Sequence, residues 1–159
     1  MSETQTNEEI LDSMPEVKID QEKIDNLLDL IEKKNQELAT KMYAVEMDKE
    51  KFSTYTDFIE NHAQWKGRES LGIFEITKRI AEIKKSGVKN GAVMMKALEI
   101  EATHYFLNNS EGKGSKNVES LVSLFKCFES ALGLVKMDSS VINDLKQELA
   151  AAQQGIEAV

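Results

Sequence analysis

The sequence predicts an all-α protein: a long, coiled-coil-like N-terminal helix joined to a small bundle of about four helices. Three observations carry this. A single proline and 6% aromatic residues do not suit an all-β sandwich, which needs many turns and many β-formers. Hydrophobic residues at 41% and charged residues at 30% suit a folded, helix-rich chain. After residue 20, apolar side chains return at helical spacing through most of the chain.

The elements follow in order. Residues 1–19 are acidic and aperiodic and are expected to be a disordered tail. Asp20 is a suitable N-cap for the helix that follows. No proline or glycine then interrupts the chain until Gly67, so one amphipathic helix is expected over 20–64. It would be ~65 Å long at about 1.5 Å per residue, longer than globular helices are. Its seam repeats every seventh residue through Ile24, Ile31, Leu38, Val45, Phe52 and Ile59. The second seam position is half polar: Leu28, Asn35, Met42, Lys49 and Thr56. A buried asparagine at such a position fixes register and favours two strands. The partner of this seam is either a second copy of the chain or the last helix of its own bundle.

Residues 65–159 form the expected bundle domain. "WKGRES" is a joint, and a helix follows over 71–85 with Ile73, Ile76, Ile80 and Ile83 on one face. Gly87 suits its end, and "VKNG" is a turn. A third helix is expected over 92–107, apolar around much of its circumference and therefore the most buried. "NNSEGKGSK" is a flexible connector. Helices over 118–136 and 140–157 complete the bundle: Gly133 kinks or ends the first, Asp138–Ser140 offer a cap for the second, and Ile142, Leu145, Leu149, Ala152, Ile156 and Val159 lie on a narrow seam of the last.

The net charge of −8 is unevenly placed. Ten acidic residues stand against Lys18 and Lys23 over 1–32, which accounts for the whole excess, whereas 63–96 is basic. No apolar run approaches the ~18 residues of a membrane span, and the N-terminus is not signal-like. The single cysteine, Cys127, has no internal disulfide partner, which fits a reducing compartment. A cytoplasmic location is therefore expected, with no membrane partner.

No catalytic motif emerges, and no cofactor or metal is expected. The "EGKGSK" loop lacks the order Gly, four residues, Gly-Lys-Ser/Thr that a phosphate-binding loop requires. Glu101 and His104 share a helix face in an E-x-x-H pattern, but a di-iron bundle needs two such motifs. Cys127 has no histidine near it in sequence and reads as a small buried hydrophobe.

The expected function is non-enzymatic protein–protein interaction, as an assembly factor, adaptor or scaffold. The residues that would carry it are Ile10, Leu11 and Met14 of the tail, with Ile24, Leu28, Ile31, Asn35, Leu38, Met42 and Val45 of the heptad helix. The partner would be another protein, a second copy, or both. The alternative is a nucleic-acid accessory protein using Trp65, Lys66, Arg68, Lys78, Arg79, Lys84 and Lys85, where cations meet phosphate and a ring can stack on a base. A carboxylate–histidine metal protein built on Glu101 and His104 is the third class.

Overall fold

The computed structural model describes residues 19–112, 114–115 and 117–155. The all-α class holds broadly: five α-helices accompany a single two-stranded sheet among the described residues. The helices are α1 (Gln21–Thr40), α2 (Lys49–Asp57), α3 (Ser70–Ser86), α4 (Ala97–Asn108) and α5 (Val118–Gln153). The strands are β1 (Met42–Glu46) and β2 (Ala92–Lys96). A π-helical turn, Phe58–His62, extends α2, and a 3-10 turn, Gly67–Glu69, leads into α3.

The described residues divide into two compact bodies, 19–34 with 141–155, and 35–140. In the first, Asp20 caps α1 as expected, its Oδ1 accepting the Lys23 N–H at 3.2 Å. Ile24 and Leu27 of α1 pack with Ala152, and Leu145 and Leu149 of α5 close the cluster. Ile24, the first heptad position of α1, thus meets the narrow seam of the last helix within one chain.

The unbroken helix expected over 20–64 is corrected by the structure: α1 stops at Thr40 and the chain becomes a strand. The reason lies between the heptad positions. Tyr43, Val45 and Met47 are buried while Ala44 and Glu46 are exposed, which is the period of a strand. Asp48 then starts a new helix, its carboxylate accepting the Lys51 N–H at 2.7 Å. A heptad sampled at one residue in seven passes through this helix–strand–helix run without registering the change.

The helix expected over 92–107 is corrected likewise. Its first five residues are β2, with Val93 and Met95 buried and Met94 exposed. Asn90 and Gly91 both have positive φ, 55° and 67°, and Lys89 and Ala92 exchange backbone hydrogen bonds of 3.3 and 3.1 Å across them. That is the tight two-residue turn which Asn-Gly favours, and it launches β2. α4 begins at Ala97, where the Glu99 carboxylate accepts the Lys96 N–H at 2.7 Å.

The separate helices expected over 118–136 and 140–157 are one continuous helix, α5. Asp138 does not act as a cap. Its carboxylate instead accepts the Tyr43 hydroxyl and pairs with Lys41, each at 2.6 Å. Ser140 Oγ turns back onto the Met137 carbonyl at 2.7 Å, as mid-helix serines do.

β1 and β2 are antiparallel, with Tyr43 opposite Met95, Ala44 opposite Met94 and Val45 opposite Val93. The inner face of this sheet joins Tyr55, Phe58, Ile76, Ile100, Phe106 and Phe128 in the main core. Inside it the Tyr55 hydroxyl and Thr103 Oγ1 lie 2.7 Å apart, so each polar group buried there finds its partner in the other.

Candidate functional site

The free edge of β1 is the most informative surface of the second body. Met47 N–H donates to the Gly91 carbonyl at 2.9 Å. In an antiparallel ladder hydrogen-bonded and non-hydrogen-bonded pairs alternate. With this register, Tyr43 and Val45 direct their backbone groups at β2, and Ala44 and Glu46 direct theirs away from it. No backbone hydrogen bond joins Ala44 or Glu46 to another described residue.

A groove of about 460 Å³ runs along this edge. Ala44 and Glu46 of β1, Lys51 of α2, and Ser123, Lys126, Cys127, Ser130, Ala131 and Leu134 of α5 line it. The α5 contribution is a stripe one helical face wide. Lys51 Nζ donates to Cys127 Sγ at 3.3 Å. Beyond the far end, burial first and then the Asp138 hydrogen bond raise the Tyr43 phenol well above its usual value.

A second surface of the same body carries large apolar side chains in water. On α3, Leu71 is 66% and Phe74 56% exposed, and Leu98 of α4 is 61% exposed. Trp65 and Tyr105 are about half exposed. Gly72 brings α3 close to α4: a Cβ there would meet the Ala102 methyl at 3.5 Å.

The structure distributes the sequence-predicted residues rather than gathering them. Ile10, Leu11 and Met14 lie outside the described residues. Ile24 and Ile31 are buried, Leu28 and Asn35 are exposed, and Leu38 is half-buried. Met42 opens β1, and Val45 is fully buried in the main core. Asn35 is therefore not a buried register-setting residue among the described residues.

The basic segment is not one face. At ~100° per residue, Lys78 and Lys85 share a side of α3, whereas Arg79 and Lys84 diverge from it. Arg79 is largely buried and held by Glu99, with Nε at 2.9 and 3.1 Å from its two carboxylate oxygens. Lys84 pairs with Glu60 at 3.2 Å, and the Lys78 ammonium sits 5.3 Å from the centre of the Phe74 ring. Lys66 and Arg68 are exposed around the 3-10 turn, near Trp65.

His104 stacks obliquely on Phe125, ring centres 5.0 Å apart, and Glu101 is exposed. No group of three or more His, Cys, Asp or Glu side chains suited to a metal ion occurs among the described residues. Among those residues no helix is long and apolar enough to cross a membrane.

The chain matches no family model, no curated protein and no solved structure.

Sequence reasoning missed the β1 edge altogether. Two signals for it were present: the period-two run "MYAVEM", and the Asn-Gly pair directly before "AVMMK".

Proposed function

We propose that this chain is a non-enzymatic protein-interaction protein, an adaptor or assembly factor whose second body presents partner-binding surfaces. The observation that carries the reading is the exposure of Leu71, Phe74 and Leu98, each 56–66% exposed, on the two contacting helices α3 and α4. A contiguous apolar patch left in water, unlike apolar residues scattered singly, marks a surface that another protein covers. The acidic segment before residue 20 remains a second partner-binding element. At Ile24 the seam of α1 is covered by the chain's own α5 through Leu145, Leu149 and Ala152, which leaves less of it for a partner.

The nucleic-acid alternative draws less support, since Arg79 and Lys84 are engaged by carboxylates of the chain itself.

The test is affinity capture from the native cell with the full tagged chain and with a Leu71→Glu/Phe74→Glu double variant. Both positions are exposed, so the variant should keep its helical circular dichroism and melting temperature. The proposal predicts a discrete set of captured proteins that the variant loses at least tenfold. A wild-type chain that captures nothing, or a captured set unchanged by the variant, contradicts it.

A further inference from the structure

The groove between β1 and α5 has features that exposed apolar surface alone does not explain. The Ala44 and Glu46 backbone groups point away from β2 in register and find no backbone partner among the described residues. An unpaired strand edge is a template for another strand, and proteins usually blunt such edges with proline, a bulge or a covering element. β1 carries no proline, and its register with β2 runs without a bulge. α5 flanks the edge but leaves a gap of about 460 Å³, within the ~300–1,000 Å³ range of ligand clefts.

The chemistry of the gap selects its occupant. Only an extended chain offers an amide and a carbonyl to the edge at every second residue, because a helix consumes its own backbone groups. The α5 side chains under the gap are small at Ser123, Cys127, Ser130 and Ala131, which leaves depth for alternate side chains of an added strand. From Ser123 to Leu134 the helix advances ~16 Å, the length of about five extended residues. Lys51 and Lys126 stand at one end of the lining against the single carboxylate of Glu46, in a chain whose net charge is −8. Leu134, half exposed, supplies an apolar contact at the other end.

We propose that this groove binds an extended, acidic segment of a partner protein, which adds to the free edge of β1 as a third strand. Its carboxylates lie toward Lys51 and Lys126, and its inward side chains rest on the small residues of α5. This rests on the protein-binding reading above but uses a different surface, so the two fail separately. A folded second copy fits less well, because it would bring its own α5 into the same gap.

The probe is a displayed library of random linear 12-residue peptides, selected on the full chain. The expected result is a family of peptides with alternating apolar residues and acidic residues at one end, binding at micromolar concentration. Ala44→Pro removes the outward N–H without removing a β1–β2 ladder bond, and it should weaken binding at least tenfold while the melting temperature falls by no more than a few degrees. Lys126→Glu should weaken it several-fold. Cys127 is the only cysteine of the chain and lines the groove, so saturating peptide should slow its reaction with a thiol reagent at least fivefold.

A selection that yields no binder overturns the proposal, as does binding to Ala44→Pro within twofold of wild type. If Ala44→Pro fails to fold, Ser130→Trp on the exposed wall of α5 takes its place: it must block binding, and unchanged binding overturns the proposal. A dimer in light scattering that Ala44→Pro dissociates would make the occupant a second copy and overturn it too. None of these outcomes alters the capture experiment on Leu71 and Phe74, which judges the protein-binding reading by itself.

Discussion

The two outer edges of the same small sheet are treated differently. On β2, Ala92 exchanges backbone bonds with Lys89 across the Asn90–Gly91 turn, and the Lys96 N–H is taken by the Glu99 carboxylate. Both ends of that edge are therefore closed by the chain itself. On β1, the equivalent groups of Ala44 and Glu46 have no such partner among the described residues, and a groove runs beside them. Between the closed ends of β2, Met94 keeps outward backbone groups with no backbone partner among the described residues. The β2 edge is thus closed at its ends, whereas the β1 edge stays open beside a groove.

The largest effect expected from disturbing this arrangement lies within β1 itself. Val45→Pro deletes an N–H directed at β2 and a fully buried side chain, so it should cost at least about 3 kcal/mol and leave a poorly folded chain, visible as a lost or broadened thermal transition. Glu99→Ala comes next. Glu99 is 4% exposed and holds both Arg79 and the Lys96 N–H. Its loss leaves the Arg79 guanidinium with the exposed Glu82 carboxylate in place of the buried one and frees the Lys96 N–H, and urea unfolding should register about 2–3 kcal/mol.

Gly91→Val should cost about 1–2 kcal/mol in the same urea titration, because a β-branched residue is strained at positive φ. A Cβ there meets nothing within 4 Å, so that cost is conformational rather than steric crowding. Smallest is Ala44→Pro, where thermal melting should show a loss below about 1 kcal/mol, since proline is tolerated where the strand N–H faces outward. Adjacent positions of one strand should therefore respond to the same substitution in opposite ways. Equal losses at 44 and 45 would mean that both sides of β1 are paired.

Much of the helical class is legible in the residues. Asp20 caps the helix assigned to it, and the face of Ile76, Ile80 and Ile83 is buried as its spacing requires. Gly87, at φ 80°, follows the last residue of α3. The strands are not legible by the same method, for a physical reason. A five-residue strand gives only two or three alternations, and Met42–Met47 also satisfies a seven-residue repeat that continues through helices on both sides. Met94 and Met95 mislead in another way. Both are apolar, yet Met94 faces outward and Met95 inward, so composition implies burial all round where the backbone alternates.

The expected split of α5 rests on Gly133 and on the capping chemistry of Asp138–Ser140. Those side chains are committed elsewhere, Asp138 to Lys41 and Tyr43 and Ser140 to its own helix. The basic segment reads as one surface because sequence shows charge without direction. The long-range pairing of Arg79 with Glu99 is what removes it from solvent. The candidate groove needs β1, α2 and α5 together, and no short window of sequence contains all three.

Amide hydrogen exchange on the isolated full chain reads the two sides of β1 residue by residue. An open edge requires slow exchange at Val45, Val93 and Met95, whose N–H groups lie in the ladder. It also requires exchange within about tenfold of an unprotected amide at Ala44 and Glu46. Protection at Ala44 and Glu46 equal to that at Val45 would show the edge already occupied, and would contradict the free edge on which the groove's binding role depends.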